Sequence, residues 1–363
     1  MRHVFINILL FAACLCGFLF VKNSGEFSRN LSHLIEQTTE PNYESIPLKT
    51  QVGQLFAIGH WPNIPLEETT RRVHELQLGG VIVMAAPETV TDIQTWTQSW
   101  QASSSIPLLI SIDQEGGLVS RLRGSEYDQT AQPDIATTEE AYEVAQGRAV
   151  ELQALGINTN YAPVLDLSVL PDSFMYGRVF RDPDAIAVLG NAMVRGYKDG
   201  GVAAVPKHFP GHPDTRDDSH ITLPRLDLTI EEYVSHTQPF TDSISDGNIQ
   251  ILMTAHVLVP ALDSDFPATV SPIVLRDLRD RIGYGGVILT DDLAMQAISD
   301  TWTHEEAAIL ALRAGADMIM LAAEPEHIDT TVAAVLAAVE SGELPRERVW
   351  EAYSRVMEVK EEL

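Results

Sequence analysis

Val202-Ala-Ala-Val205, a short β-like run, leads through Pro206 into Lys207-His-Phe-Pro-Gly-His-Pro-Asp-Thr-Arg-Asp-Asp-Ser-His220. Those fourteen residues hold three His, three Asp, a Lys and an Arg, punctuated by Pro210, Gly211 and Pro213. So dense a polar cluster belongs in a core only if every group is paired. Placed directly after a strand, it reads as a loop beside an active site. In an extended segment residues i and i+2 share a side, so Asp218 can accept from one imidazole nitrogen of His220 and leave the other facing substrate. That is a general acid/base with its own orienting group. The plainer reading is a solvated loop whose His and Asp pair only with each other, and the surrounding chain has to decide.

Outward from this stretch, short apolar or β-branched runs alternate with helical patterns. The expected strands are Val52–Gly59, Gly80–Ala85, Pro107–Ile112, Asn158–Leu165, Val202–Val205, Ile249–Thr254, Gly286–Thr290 and Asp317–Leu321. The expected helices are Leu66–Leu76, Val90–Gln101, Glu139–Leu155, Asp184–Asp199, Ile230–Ser243, Pro272–Arg281, His304–Ala314 and His327–Ser341, with a further one at Arg346–Glu361. Eight β-then-α units define an α/β fold, a single (β/α)8 TIM barrel, whose usual size is about 250 residues plus insertions. A doubly wound open sheet is the rival. It rarely reaches eight regular units, and no Gly-x-Gly-x-x-Gly follows the first strand.

A barrel places its chemistry at the C-terminal ends of the strands. The residues found there are Asp113 and Glu115, Asp166, Lys207 and His208, His256, Asp291 and Asp292, and Glu324. Helix capping accounts for some of the aspartates, but not for Lys207, His208 or His256. At least one carboxylate of Asp291-Asp292, held at a strand end, suits attack on or stabilisation of an oxocarbenium-like sugar centre, while one of the two is expected to cap the next segment. Asp113-Gln-Glu-Gly-Gly117, with glycines that permit a tight turn, suits a carboxylate binding a pair of substrate hydroxyls.

Composition bounds the partners. Of 363 residues, 45% are hydrophobic and 21% charged, as in an ordinary globular protein. The formal charge of −27 argues against nucleic acid or an anionic lipid surface as partner of the folded part. Acidity is equally what a salty medium selects. The two cysteines, Cys14 and Cys16, both lie near the N-terminus, so the body has no disulfide, thiolate metal site or cysteine nucleophile. A histidine metal site is the chemical rival, since His208 and His212 are four apart with His220, His256, Asp214, Asp217 and Asp218 available. An i,i+4 His pair chelates from a helix, however, and Phe209-Pro210-Gly211 opposes one. The first strand also carries Gly59-His60-Trp61 rather than His-x-His. No metal or cofactor is expected.

Val4–Val21 is apolar and uncharged, preceded by Arg2 and His3 and followed by Lys22. It reads as a membrane anchor or export signal, and Phe11-Ala-Ala-Cys14 resembles a bacterial lipobox, which would add a lipid at Cys14. The expected organisation is therefore residues 1–22 as hydrophobic segment, 23–48 as linker and 49–363 as barrel with a C-terminal helix. The expected location is the cell envelope.

Taken together, Ile112-Asp-Gln-Glu-Gly-Gly117, Lys207-His-Phe-Pro-Gly-His212 with Asp218-Ser-His220, Met253-Thr-Ala-His256 and Leu289-Thr-Asp-Asp-Leu-Ala-Met295 resemble glycoside hydrolase family 3. The likeness is to its bacterial β-N-acetylhexosaminidase branch. The resemblance implies a retaining hydrolase of terminal β-linked N-acetylglucosamine, with peptidoglycan fragments as the source of that sugar. By the same resemblance Asp291 is the nucleophile, His220 the acid/base oriented by Asp218, and Asp113, Arg178, Lys207 and His208 bind the sugar. A histidine in place of the second carboxylate departs from the usual retaining pair, yet a group of reference pKa about 6.5 both donates and accepts near neutrality. The family's arginine usually sits in Gly-x-Arg-Ser-Phe-Gly, whereas this chain has Tyr176-Gly-Arg-Val-Phe-Arg181, and Pro213 stands where glycine is common and would stiffen the loop. Two alternatives to hydrolysis stay open: glycosyl transfer to phosphate, and a barrel that binds glycans without turning them over.

Overall fold

The computed structural model describes residues 45–86, 90–212, 214 and 218–363. The hydrophobic segment, most of the proposed linker and Pro213 lie outside the described residues. Among those described, no helix is long and apolar enough to cross a membrane. The compact unit runs from Ile46 to Leu363.

Its centre is a ring of eight strands: β1 (Phe56–His60), β2 (Gly80–Val83), β3 (Leu109–Ile112), β4 (Thr159–Asn160), β5 (Ala203–Ala204), β6 (Ile251–Met253), β7 (Val287–Asp292) and β8 (Met318–Leu321). They lie in the order β5-β4-β3-β2-β1-β8-β7-β6, with every adjacent pair parallel. First and last strands are therefore neighbours, as a closed ring requires. The seam between β5 and β6 is carried by residues just past the strands. Met253 N–H donates to the Pro206 carbonyl at 3.0 Å, Phe209 N–H to that of Met253 at 2.8 Å, and Ala255 N–H to that of Phe209 at 2.6 Å. The result is a nearly closed parallel barrel.

The strands are short and apolar because both faces are covered, by side chains inside and helices outside. Nearly all their residues are buried. Where β1 meets β8 the backbones come so close that a Cβ on Gly59 would stand 2.0 Å from the Ala322 carbonyl oxygen. Only glycine fits there.

Three elements differ from the sequence expectation. The run from Val52 does not enter a strand directly: Leu48–Gly53 is helical after Pro47, and β1 begins at Phe56. A short apolar run has no periodicity to separate the two states. Ile230–Ser243 is two helices, Ile230–His236 and Gln238–Ser245, because Pro239 has no N–H for a continuous ladder and instead sits in the first turn of the second. Asn158–Leu165 keeps only two residues of regular strand, after which Val164 bridges Lys207 alone.

The bottom of the barrel is fastened by charge. Asp317, fully buried just before β8, accepts from Arg279, Arg348 and Arg355, and from the Ile288 N–H at 2.9 Å. This ties Pro272–Asp280 and the C-terminal helix Arg346–Glu362 to the sheet. At the far end of that helix Lys360 donates to Gln54 Oε1 at 2.6 Å and the Gly79 carbonyl at 2.7 Å.

Candidate active site

The opposite rim carries the polar groups. Ile112 ends β3, and the chain then makes a ribbon in which Gln114–Gly116 pairs antiparallel with Val119–Ser120. The turn between them uses Gly116 and Gly117 at φ +88° and +60°, and a Cβ on Gly116 would stand 2.0 Å from the Thr130 carbonyl oxygen. Gln114 faces Ser120 in this ribbon, so Asp113 and Arg121 flank it together. Arg121 Nη2 donates to Asp113 Oδ2 at 3.0 Å.

From β5, Lys207 Nζ reaches Asp113 Oδ1 and Glu115 Oε1, each at 2.7 Å. Arg178 forks onto Glu115, with Nε to Oε2 at 3.0 Å and Nη2 to Oε1 at 2.7 Å. Two carboxylates and three cations thus form one ion-paired network inside the barrel mouth, with one positive charge in excess. Burial pushes the Asp113 carboxyl up, but Lys207 and Arg121 outweigh it and hold it well below the usual range. Burial likewise opposes ionisation of Glu115, and Arg178 and Lys207 reverse it. For Lys207 burial disfavours the charged form while Asp113 and Glu115 restore it.

His208 is aimed by Asp166, whose Oδ2 lies 2.7 Å from Nδ1 and 3.1 Å from the His208 N–H, while Oδ1 accepts from the His212 N–H at 2.6 Å. His212, buried against His208 and Phe174, has its pKa lowered to about 3 by burial. His60, packed between Trp96 and Trp100, is a core residue with its pKa lowered to about 4 for the same reason.

The two aspartates that end β7 divide the work. Leu289 pairs with Met318 but Asp292 with Met320, so β7 holds one extra residue opposite β8. Thr290 Oγ1 takes the Met320 N–H at 3.0 Å within this bulge. Such a bulge re-aims the side chains around it. Asp292 turns to the backbone and accepts from Ala294, Ala322 and Ala323 at 2.9 to 3.1 Å. Burial raises its pKa to about 6. Asp291 faces the pocket, where burial would raise its pKa but His256, His208 and the Asp292 N–H lower it on balance. His256 itself is fully buried, engaged by Thr269 Oγ1 at 2.8 Å and the Asp292 carbonyl at 2.9 Å.

Across the pocket, His220 Nδ1 lies 2.7 Å from Asp218 Oδ1, which also accepts the His220 N–H at 2.9 Å. The pairing expected of an extended segment is made instead by a turn, with Ile221 and Thr222 N–H donating to the Asp218 carbonyl. An aspartate whose carboxylate takes the N–H two residues on supplies such a turn by itself. The His220 side chain is 65% exposed, so its second nitrogen is open to the cleft.

These groups surround a pocket of about 240 Å³ that includes Asp113, Arg178, Lys207, His208, His220 and Asp291. An adjoining pocket of about 700 Å³ shares Asp113, His220 and Asp291, and adds apolar walls from Trp61, Met84 and Met295. Of the rim residues expected from sequence, Asp166 and His256 brace the site from behind, and Asp292 lines the adjoining pocket. Glu324 lines neither pocket. The altered setting of Arg178 leaves it in place: Val179 and Phe180 are buried, and Arg181 lies 4.4 Å over the Tyr176 ring. Arg121 was missed by sequence reasoning. The signal for it was the Gly116-Gly117 turn, whose hairpin register brings residue 121 back beside residue 113.

A parallel α/β barrel whose rim pocket is lined by an aspartate and a carboxylate-paired histidine, over a bed of ion-paired hydrogen-bonding groups, defines the class: a barrel glycosidase. The chain belongs to glycoside hydrolase family 3, whose N-terminal domain matches residues 47–359. A β-hexosaminidase of Methylobacillus flagellatus is 35% identical over 296 residues, covering 77% of this chain and 83% of that protein. The structure of a family 3 β-N-acetylglucosaminidase from Paenibacillus superposes with a TM-score of 0.81 at 37% identity, covering 87% of this chain and 62% of that one. The β-N-acetylhexosaminidase of Beutenbergia cavernae superposes with a TM-score of 0.80 at 29% identity, covering 87% and 98%.

Proposed function

We propose that this glycosidase is a β-N-acetylhexosaminidase that releases terminal β-linked N-acetylglucosamine with retention of configuration. Asp291 and His220, which line the same pocket with His220 held by Asp218, carry the reading. The Asp291 carboxylate attacks the anomeric carbon and forms a glycosyl ester, while the proton on the open nitrogen of His220 passes to the departing oxygen. In the second step His220 takes a proton from water as that water attacks the same carbon, and Asp291 leaves as carboxylate. Asp218 acts through His220, fixing its ring and stabilising the imidazolium. Asp113, Lys207, Arg178 and His208 hold the sugar hydroxyls, and the neighbouring pocket gives the leaving group an apolar floor at Trp61, Met84 and Met295.

Peptidoglycan fragments are the substrate source we propose, on the strength of the apolar segment Val4–Val21, which would place the barrel in the cell envelope. Fractionation that finds the barrel soluble in the cytoplasm would overturn that placement. The reaction itself is tested by release of a chromogenic aglycone from β-N-acetylglucosaminide and β-glucoside side by side, with EDTA present. The expected outcome is strong preference for the N-acetyl sugar, with free sugar as product even in phosphate buffer. A sugar phosphate would identify transfer to phosphate instead. Tight sugar binding with no turnover would point to a glycan-binding barrel.

A further inference from the structure

Away from the reaction pocket, three residues the hydrolysis does not use converge. Thr303 caps the helix His304–Ala314 through a reciprocal pair with Glu306, which places His304 in its first turn. Glu324 stands three residues past β8 in left-handed backbone, φ +50°, and His327 closes the short turn Pro325–His327. The His304 and His327 rings stack 4.6 Å apart and 9° from parallel. Both Nε2 atoms approach one carboxylate oxygen, Glu324 Oε2, at 3.3 and 3.8 Å.

Those separations are long for charge-assisted hydrogen bonds. The His304 side chain is only 9% exposed, and its Nε2 makes no hydrogen bond. A buried ring nitrogen aimed at a carboxylate without bonding to it needs a third party. A tetrahedral ion bound at about 2.0 to 2.2 Å sets its donors roughly 3.4 Å apart, close to the two nitrogen–oxygen separations of 3.3 and 3.8 Å. Among the described residues this is the group of three His, Asp or Glu side chains whose donor atoms lie mutually close, all within 4.8 Å.

We propose that His304, Glu324 and His327 bind a divalent transition-metal ion, zinc foremost. Two imidazoles and one carboxylate select such an ion over magnesium or calcium, which prefer all-oxygen shells. His327 and Glu324 are about half exposed, which gives the ion an entry path and leaves room for a water as fourth ligand. The site joins the start of one helix to the loop after β8, the loop whose Ala322 and Ala323 N–H groups hold Asp292. Its role is to fasten that loop. The hydrolytic steps do not pass through it, and activity should persist in EDTA.

The test is titration of the full chain with zinc chloride against a chromogenic zinc indicator, with cobalt(II) as spectroscopic probe. One equivalent should bind at low-micromolar concentration, and cobalt should give the intense visible bands of a tetrahedral site. Binding should persist in His220→Ala, fall at least ~10-fold in the half-exposed His327→Gln, and vanish in His304→Ala/His327→Ala. No binding to the wild-type chain, or equal binding by the double variant with unchanged circular dichroism, would overturn the assignment.

Discussion

Asp291 and Asp292 are chemically identical neighbours put to different uses by a single extra residue in β7. The bulge turns one carboxylate to three backbone N–H groups and the other to the pocket. The charge environment of Asp291 lowers its pKa, so the proposed nucleophile stays ionised through the ordinary acidic range. Only its ionised form attacks. Activity should therefore fall on the acid side only below about pH 4, the usual aspartate value, and an acid limb centred above pH 5 in kcat/KM would contradict this role. Replacing His220 by Ala should cost about 10²- to 10⁴-fold in kcat and remove the basic limb of the profile. An unchanged profile in that variant would count against the acid/base assignment. At this scale residue types and spacing leave open which aspartate faces the pocket, since that depends on the register of β7 against β8, and only the family resemblance singles out Asp291.

Elements place these residues, and they were legible to different degrees. Helices with capping boxes, such as those opened by Thr137 with Glu140 and by Thr303 with Glu306, carry their start signals locally, and their ends fall within a few residues of expectation. β4 and β5 are two residues each, too short for any periodicity, and are held by neighbours rather than by their own composition. The ribbon that delivers Arg121 was readable only as a glycine-rich turn. Asp317 is the clearest case of long-range dependence: three arginines from later and earlier helices meet on one buried carboxylate. Asp317→Ala removes the buried counter-charge those cations share and should lower unfolding stability by about 3 to 5 kcal/mol, measured by urea denaturation. Because the residue lies at the end of the barrel opposite the pocket, kcat of the folded fraction should be unchanged. Full stability in that variant would show the cluster to be mere surface pairing.

At the scale of the whole molecule, the alternation of eight β-then-α units was the strongest message in the sequence, because it is a pattern of many weak signals that agree. The closure of the ring, through Pro206 and Phe209 onto Met253 and Ala255, was not in that pattern. Neither was the pairing of Glu115 with Arg178 and Lys207, which needs three strands brought together. The charge of −27 also acts on the molecule as a unit. Self-repulsion of so acidic a surface is screened over roughly 8 Å at physiological ionic strength. The Tm should accordingly rise as sodium chloride is raised from near zero to about 0.15 M, and a falling Tm would mean that attractive surface pairs dominate. The proposed mechanism requires a covalent bond between sugar and Asp291. The most direct measurement is to incubate the enzyme with a fluorinated N-acetylglucosaminyl fluoride that slows the second step, digest it, and locate the label by mass spectrometry. The predicted result is one sugar on the peptide containing Asp291, absent in Asp291→Ala. A label on another residue, or turnover of the same substrate with no covalent species, would contradict the proposed mechanism.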